Sequence, residues 1–174
     1  MVNLSKDLKF IPLYISNEVL SITKKFVHER NKKFFYRCDL HNFTQKEKLS
    51  DTQSADFPYK TIHTVKTTRY ARFKQDIYDK WNIIIPLSTY YVPYIAHNAN
   101  VTQSVGYISF ETKHEAELYL LKITAPVYKL LVHLTRYGNF NNIMVLKHLD
   151  FDSDFVLTDS EKKVVEKLST LIKY

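Results

Sequence analysis

Apolar positions along this chain recur at two different periods, and the changes of period divide it into elements. After Ser16, the residues Val19, Ile22 and Phe26 recur at helical spacing, while Lys24, Lys25 and Glu29 fall outside that face. A helix opening at "SNEV" with Ser16 as its cap is therefore expected. "KKFFYRCDL" reads as a strand. The polar stretch 41–58, "HNFTQKEKLSDTQSADFP", reads as a loop that ends where Pro58 restricts Phe57. Residues 60–73, "KTIHTVKTTRYARF", are rich in Thr and alternate loosely, the pattern of strand, loop or hairpin. The run 81–96, "WNIIIPLSTYYVPYIA", is the most apolar of β type, and Ile83-Ile84-Ile85 predicts a strand buried on both faces and closed by Pro86. "VGYISF" (105–110) is the next strand.

Helical grammar dominates the C-terminal third of the chain. Thr112 and Glu115 make a Thr-x-x-Glu capping box ahead of "EAELYLLKI". Pro126 suits the first turn of a second helix, in which Val127, Leu130, Leu131 and Leu134 form one face. Gly138 then stands where a left-handed C-cap is favoured. Residues 139–151, "NFNNIMVLKHLDF", read as a polar loop leading to a short apolar segment. Thr158 and Glu161 cap a terminal helix with a stripe of Val164, Val165, Leu168, Leu171 and Ile172. The expectation is an α+β single domain over 1–174. It has a mixed β-sheet core, an N-terminal helix, a C-terminal two-helix unit and a terminal amphipathic helix in the C-terminal segment 150–174. The length of 174 residues suits one core.

Composition narrows the chemistry. Only 2 glycines are present, where average usage of ~7% would give about a dozen. No Gly-rich phosphate loop can be built from Gly106 and Gly138, and no S-adenosylmethionine turn either. Gly106 marks a place where a side chain would obstruct packing or close backbone approach. Cys38 is the only cysteine, which excludes an intrachain disulfide and a thiolate metal cluster, and points to a reducing, cytoplasmic setting. The 7 histidines show no paired ligand spacing, so no metal is expected. Asp152 or Asp154 with Glu161-Lys162-Lys163 superficially suggests a nuclease, but Glu161 and Lys163 open a capped helix. No Asn/Asp-Pro-Pro-aromatic motif is present. No catalytic residue and no cofactor is expected. No run approaches the ~18 apolar residues of a membrane span.

The net charge of +7 is unevenly placed. Residues 24–37 carry six Lys/Arg against one Glu, and residues 59–80 carry six against two Asp, whereas 150–174 has six acidic side chains against four basic. A clustered positive field suits a polyanion, although a solvated Lys-rich surface has the same composition. Within "HTVKTTRYARFK", Lys66, Arg69, Arg72 and Lys74 interleave with Thr67, Thr68, Tyr70 and Phe73. Strand alternation would turn one face to DNA and pack the aromatics inward; an edge strand kept soluble by charge is the other reading.

The order of segments adds a resemblance. "PYKTIHT" at 58–64 precedes the basic-aromatic stretch and "KWNIIIP"; then come "YYVPYI", "VTQSVGYI", "FETKHEAELYLLK", a two-helix unit ending "RYGNFNN", and "VLKHL". Over roughly residues 55–174 this resembles the C-terminal target-recognition domain of type II restriction–modification adenine-specific DNA methyltransferases, including the fused restriction–methylation enzymes. The resemblance implies a module that reads a short duplex sequence and positions a target adenine for a partner. The catalytic portion of that family is missing, so a methyltransferase or nuclease is expected in cis or in trans.

Site residues are chosen by side-chain chemistry and loop position. Lys66, Arg69, Arg72 and Lys74 are expected at phosphates, with Arg also able to reach guanine, and Thr67 is a further DNA-binding candidate beside them. Thr102, Gln103 and Ser104 are expected near base edges, Gln suiting adenine. Arg136, Asn139, Asn141 and Asn142 form a second candidate patch. The alternatives are a protein-interaction module that docks a methyltransferase or other partner through its helices, and a single-stranded nucleic-acid binder.

Overall fold

Three successive isoleucines sit at the centre of the structure. A computed structural model of the chain describes residues 8, 10–27, 33–41, 45–88, 90–136, 138 and 140–172. Strand β5 (Trp81–Pro86) is the middle of a sheet, and Ile83, Ile84 and Ile85 are all 0% exposed. Alternation sends Ile83 and Ile85 into one apolar cluster and Ile84 into another. The expectation of a strand buried on both faces holds.

Among the described residues two four-stranded sheets are built from eight short strands. The first has the order β1-β8-β5-β6, with β1 Phe35–Tyr36, β6 Tyr94–Ala96 and β8 Val105–Phe110, and all its pairs are antiparallel. The second has the order β2-β4-β3-β7, with β2 Leu49–Ser50, β3 Tyr59–Ile62, β4 Thr68–Ala71 and β7 Asn100–Val101. Only its β3–β7 pair is parallel. The expected mixed sheet is thus the second of two. Residues 60–73 resolve into the β3–β4 hairpin.

Five helices among the described residues cover the first sheet or pack beside it. They are α1 (Asn17–Phe26), α2 (Lys113–Ile123), α3 (Pro126–Leu134), α4 (Ile143–Leu146) and α5 (Asp159–Ser169). Ser16 accepts from Val19 N–H at 3.2 Å, and capping boxes at Thr112/Glu115 and Thr158/Glu161 are complete. Pro126 occupies the first turn of α3, and Val127, Leu130, Leu131 and Leu134 are buried. α2 lies on the first sheet, while α5 packs across α1 and α3. At that crossing the buried carboxylate of Glu161 receives Lys25 Nζ at 2.7 Å and Ser21 Oγ at 2.8 Å. No helix among the described residues is long and apolar enough to cross a membrane.

Segment 73–80 is tied down by side-chain amides rather than by strand pairing. Gln75 donates from Nε2 to Val101 O at 3.0 Å and accepts Val101 N–H on Oε1 at 2.8 Å, so its amide acts as one more rung beside β7. Asn100 Oδ1 accepts Gln75 N–H at 2.8 Å, and Asn82 Nδ2 donates to Ile77 O at 2.8 Å. These groups are buried, and each pairing removes the cost of an unsatisfied polar atom.

Several expectations are corrected. Among its described residues "KKFFYRCDL" contributes only Phe35–Tyr36 as strand. The loop 41–58 contains a short 3₁₀ turn at Lys46–Lys48 and strand β2, because β4 offers an edge that Leu49 and Ser50 pair with. α3 ends at Thr135, whose hydroxyl bonds back to Leu131 O at 2.7 Å, so Gly138 is not its cap, although it has the left-handed φ of +59°. Leu171 leaves the stripe of α5 and is exposed. Gly106, by contrast, fills its expected role: the Phe34 ring lies where a β-carbon at 106 would be.

Candidate functional site

The β3–β4 connection is a loop ordered by its own threonines. Thr64 Oγ1 accepts the N–H groups of Lys66 at 3.3 Å and Thr67 at 3.1 Å, while His63 N–H reaches Thr67 O at 3.0 Å. Lys66 and Thr67 are thereby presented at an exposed tip. Arg72 is exposed with its guanidinium 4.7 Å from the Phe57 ring centroid. Lys74 is exposed and pairs with Asp79.

Arg69 departs from expectation. Alternation along β4 puts it on the same face as buried Ala71, its side chain is 18% exposed, and its Nε lies 3.0 Å from Asp51. It faces inward as half of an ion pair, not outward toward a phosphate.

The 102–104 turn is joined to this hairpin. Thr102 donates its N–H to Ile62 O at 3.0 Å, and His63 Nδ1 lies 2.9 Å from Thr102 Oγ1 and 3.3 Å from Ser104 Oγ. Burial, with Arg69 nearby, holds the His63 imidazole below its ordinary value, so it is neutral at neutral pH. Thr102 is 0% exposed and consumed by these bonds, so it cannot meet a base edge. Its hydroxyl is structural. Gln103 and Ser104 remain half-buried at the surface.

A second join brings in the region after α3. Leu87 N–H donates to Ser104 O at 3.2 Å, Asn141 N–H donates to Leu87 O at 2.8 Å, and Asn141 Nδ2 donates to Pro86 O at 2.7 Å. Between these segments lies a cleft of about 310 Å³ with walls that include Tyr36, Leu87, Gln103, Ser104, Phe140 and Asn141. Burial and the nearby Cys38 push the Tyr36 phenol up to about 12, so it stays a neutral hydroxyl. Phe140 is 61% exposed at the rim.

The remaining second-patch residues separate. Asn142 is the N-cap of α4, accepting Met144 N–H at 3.0 Å on Oδ1, and so leaves the candidate set. Asn141 is 3% exposed and belongs to the floor of the cleft rather than to an open surface. Arg136 is half-buried with its guanidinium 5.0 Å from the Tyr90 ring centroid. Asn139 lies outside the described residues.

No protein-family model, no curated protein and no solved structure matches this chain. The site must stand on its own geometry.

That geometry offers stacking faces, amides and hydroxyls beside a cationic hairpin. Among the described residues no three His, Cys, Asp or Glu side chains gather as a metal ion would require. Sequence reasoning missed Tyr36, Leu87, Phe140 and the bond His63 makes between the hairpin and the 102–104 turn. The signal for His63 was its place at the end of an alternating run, next to buried Ile62; nothing local pointed to Tyr36, which β1 brings to the cleft by pairing with Gly106.

Proposed function

We propose that this chain is a double-stranded DNA recognition domain of restriction–modification type. On its own it is non-catalytic, and it positions a target adenine for a methyltransferase or nuclease joined to it or acting in trans. The observation that carries the proposal is the convergence of three segments distant in sequence. His63 ties the basic hairpin to the 102–104 turn, and Pro86 and Leu87 tie that turn to Asn141. The loop that presents Lys66 is therefore joined through His63 to a turn that lines an amide-bearing cleft, the combination of phosphate positioning and base readout that duplex recognition uses. The exposed thiol of Cys38 suits a cytoplasmic setting, where it stays reduced.

Lys66, Thr67, Arg72 and Lys74 meet phosphates, while Gln103 and Ser104 approach base edges. Arg69 acts through Asp51 and His63 as a positioning residue. Titrating random duplexes at several salt concentrations tests this. Replacing Lys66 and Arg72 together by Ala lowers affinity for all sequences and flattens the salt slope by about two. Gln103→Ala relaxes preference at one position, worth about 1–3 kcal/mol of discrimination. Absence of duplex binding by the unaltered domain even at low salt would falsify the proposal.

One observation favours a second reading, the docking module. Leu118 and Leu121 on α2 are 57% and 72% exposed, and Leu118 borders a groove of about 540 Å³. Salt-insensitive capture of a methyltransferase or nuclease, lost in Leu118→Ser with Leu121→Ser, combined with no duplex binding, selects that reading.

A further inference from the structure

The two faces of the β3–β4 hairpin differ in charge. Register places Lys60 opposite Tyr70 and Ile62 opposite Thr68 on one face, and Thr61 opposite Arg69 on the other. The second face is closed: Thr61 is 0% exposed, and Arg69 is paired with Asp51. On the first face Lys60 and Thr68 are exposed, and Ser50 of β2 lies beside Tyr70. No strand residue on that face is acidic. Lys74 is matched by Asp79, whereas among the described residues no carboxylate pairs with Lys60.

Lys60 opens on a notch of about 370 Å³ between the hairpin and β6, the last strand of its sheet. Its walls include Lys60, Thr64, Thr68, Tyr94 and His97, and among the described residues no Asp or Glu lines it. Thr64 Oγ1 already accepts the N–H groups of Lys66 and Thr67, so both lone pairs are engaged and the hydroxyl proton is left to donate. Exposed Thr68 adds a second hydroxyl. Asp79 O can only accept, so His97 donates to it from Nε2 at 3.1 Å. The imidazole also stacks on Trp81 with centroids 4.3 Å apart, which makes it a fixed wall.

We infer that this notch is a phosphate-binding site, with Lys60 as its cation and the hydroxyls of Thr64 and Thr68 as donors. A phosphate presents acceptor oxygens and a negative charge, and charge-assisted bonds to such oxygens are the strong ones. An ammonium without a carboxylate partner, beside two hydroxyls, is matched to that chemistry, and Lys66 on the same loop extends the positive field. The phosphate belongs either to the backbone of DNA lying along this face or to a free phosphate compound. The DNA form rests on the duplex-binding proposal; the free form does not.

Two arms separate these sources. In the first, the unaltered domain, Lys60→Met, Lys60→Arg and Lys163→Met are titrated with random duplexes over a range of salt. Lys163 is an exposed lysine of α5 and controls for the loss of one charge. Lys60→Met weakens binding to all sequences about fivefold to tenfold near about 0.1 M salt and takes about 0.9 off the salt slope. Lys60→Arg keeps the slope, and Lys163→Met stays within about twofold of the unaltered domain. In the second arm, inorganic pyrophosphate is added to the unaltered domain while the backbone amide resonances of Thr64, Thr68 and His97 are followed, against sodium chloride at matched ionic strength. Saturable shifts with pyrophosphate alone, lost in Lys60→Met, support the site. If pyrophosphate shifts these resonances and Lys60→Met binds duplexes as Lys163→Met does, the notch takes a free phosphate and its DNA form is overturned. A slope change particular to Lys60 without pyrophosphate shifts keeps the DNA form and overturns the free one. No duplex binding with a retained pyrophosphate response overturns the DNA proposal and leaves the notch standing. Equal shifts with pyrophosphate and chloride, or none with either, together with no effect particular to Lys60, overturn the inference.

Discussion

On one side of β5, Ile83 and Ile85 meet a layer of helices in which Leu130, Leu131 and Leu146 are essentially unexposed. The β2-β4-β3-β7 sheet has nothing comparable around Leu40, Leu49 and Ala71, a cluster of three buried residues. It meets the first sheet through a smaller apolar cluster, in which Ile62, Ala99 and Val101 join Ile84, Val105 and Tyr107. Its own segments are held together by Gln75, Asn100 and Thr102, all buried and all hydrogen-bonded. Apolar burial tolerates small shifts because it is non-directional, whereas amide pairing demands particular positions. The hairpin tip that carries Lys66 and Thr67 is therefore mounted on the region whose geometry is fixed by direction, and a surface that reads edges benefits from such mounting.

The largest expected effect is in the helical region. Leu131→Ala opens a cavity at a residue 1% exposed, and costs about 2–5 kcal/mol in chemical denaturation. Loss well below that range would mean the helical layer is less closely packed than its burial implies. Gln75→Ala sharpens the contrast from the other side. It strips partners from both Val101 N–H and Val101 O, at about 1–3 kcal/mol for each group left unsatisfied. Amide exchange should speed up in β3 and β7 while β5 and β8 keep their protection; uniform acceleration would break the distinction between the two regions.

Acid provides a third probe. Burial alone would raise the Glu161 carboxyl, but hydrogen bonds from Lys25, Thr158 N–H and Ser21 outweigh it and hold the group at about 2, against an ordinary 4.5. A carboxylate with a depressed folded value contributes stability that is complete above its unfolded value and lost as pH falls through the folded one. Melting temperature should therefore drop between pH 4.5 and about 2, and Glu161→Gln should flatten that part of the profile. A smaller loss, about 1 kcal/mol, is expected for Thr112→Ala at the cap of α2. Least of all is Lys113→Ala, which removes an exposed pair with Glu117 at 3.0 Å and should change stability by less than about 0.5 kcal/mol.

How much of the molecule was legible in the sequence depends on the range of the forces involved. Ser16, Thr112 and Thr158 act on backbone groups three residues away, so their caps were legible without any tertiary knowledge. β5 and β8 were legible because their side chains report burial on both faces. Strand β2 was not, since Leu49 and Ser50 pair only because β4 lies beside them. In the site, Gln103 and Ser104 are half-buried, while Lys66, Thr67, Arg72 and Lys74 kept the exposure their polarity suggests. Thr102 and Arg69 did not, because His63 and Asp51 arrive from elsewhere in the chain to engage them. Asn141 was chosen for its polarity, yet its backbone and amide are engaged by Leu87 and Pro86, more than fifty residues earlier.

The single parallel pair, Thr61 opposite Asn100 and Ile62 opposite Val101, has a consequence in time. Between those partners the chain must traverse β4, β5 and β6, so β7 returns to β3 only after closing a long loop, an entropic cost incurred before the contact repays it. The hairpin β3–β4 can form early from local contacts, as can the two capped helices. The tip that carries Lys66 then waits, already shaped, for β7 and its following turn to dock. During refolding, ordering of the hairpin should precede burial of Thr102, and the surface that joins cationic tip to cleft is the last part of the molecule to be assembled.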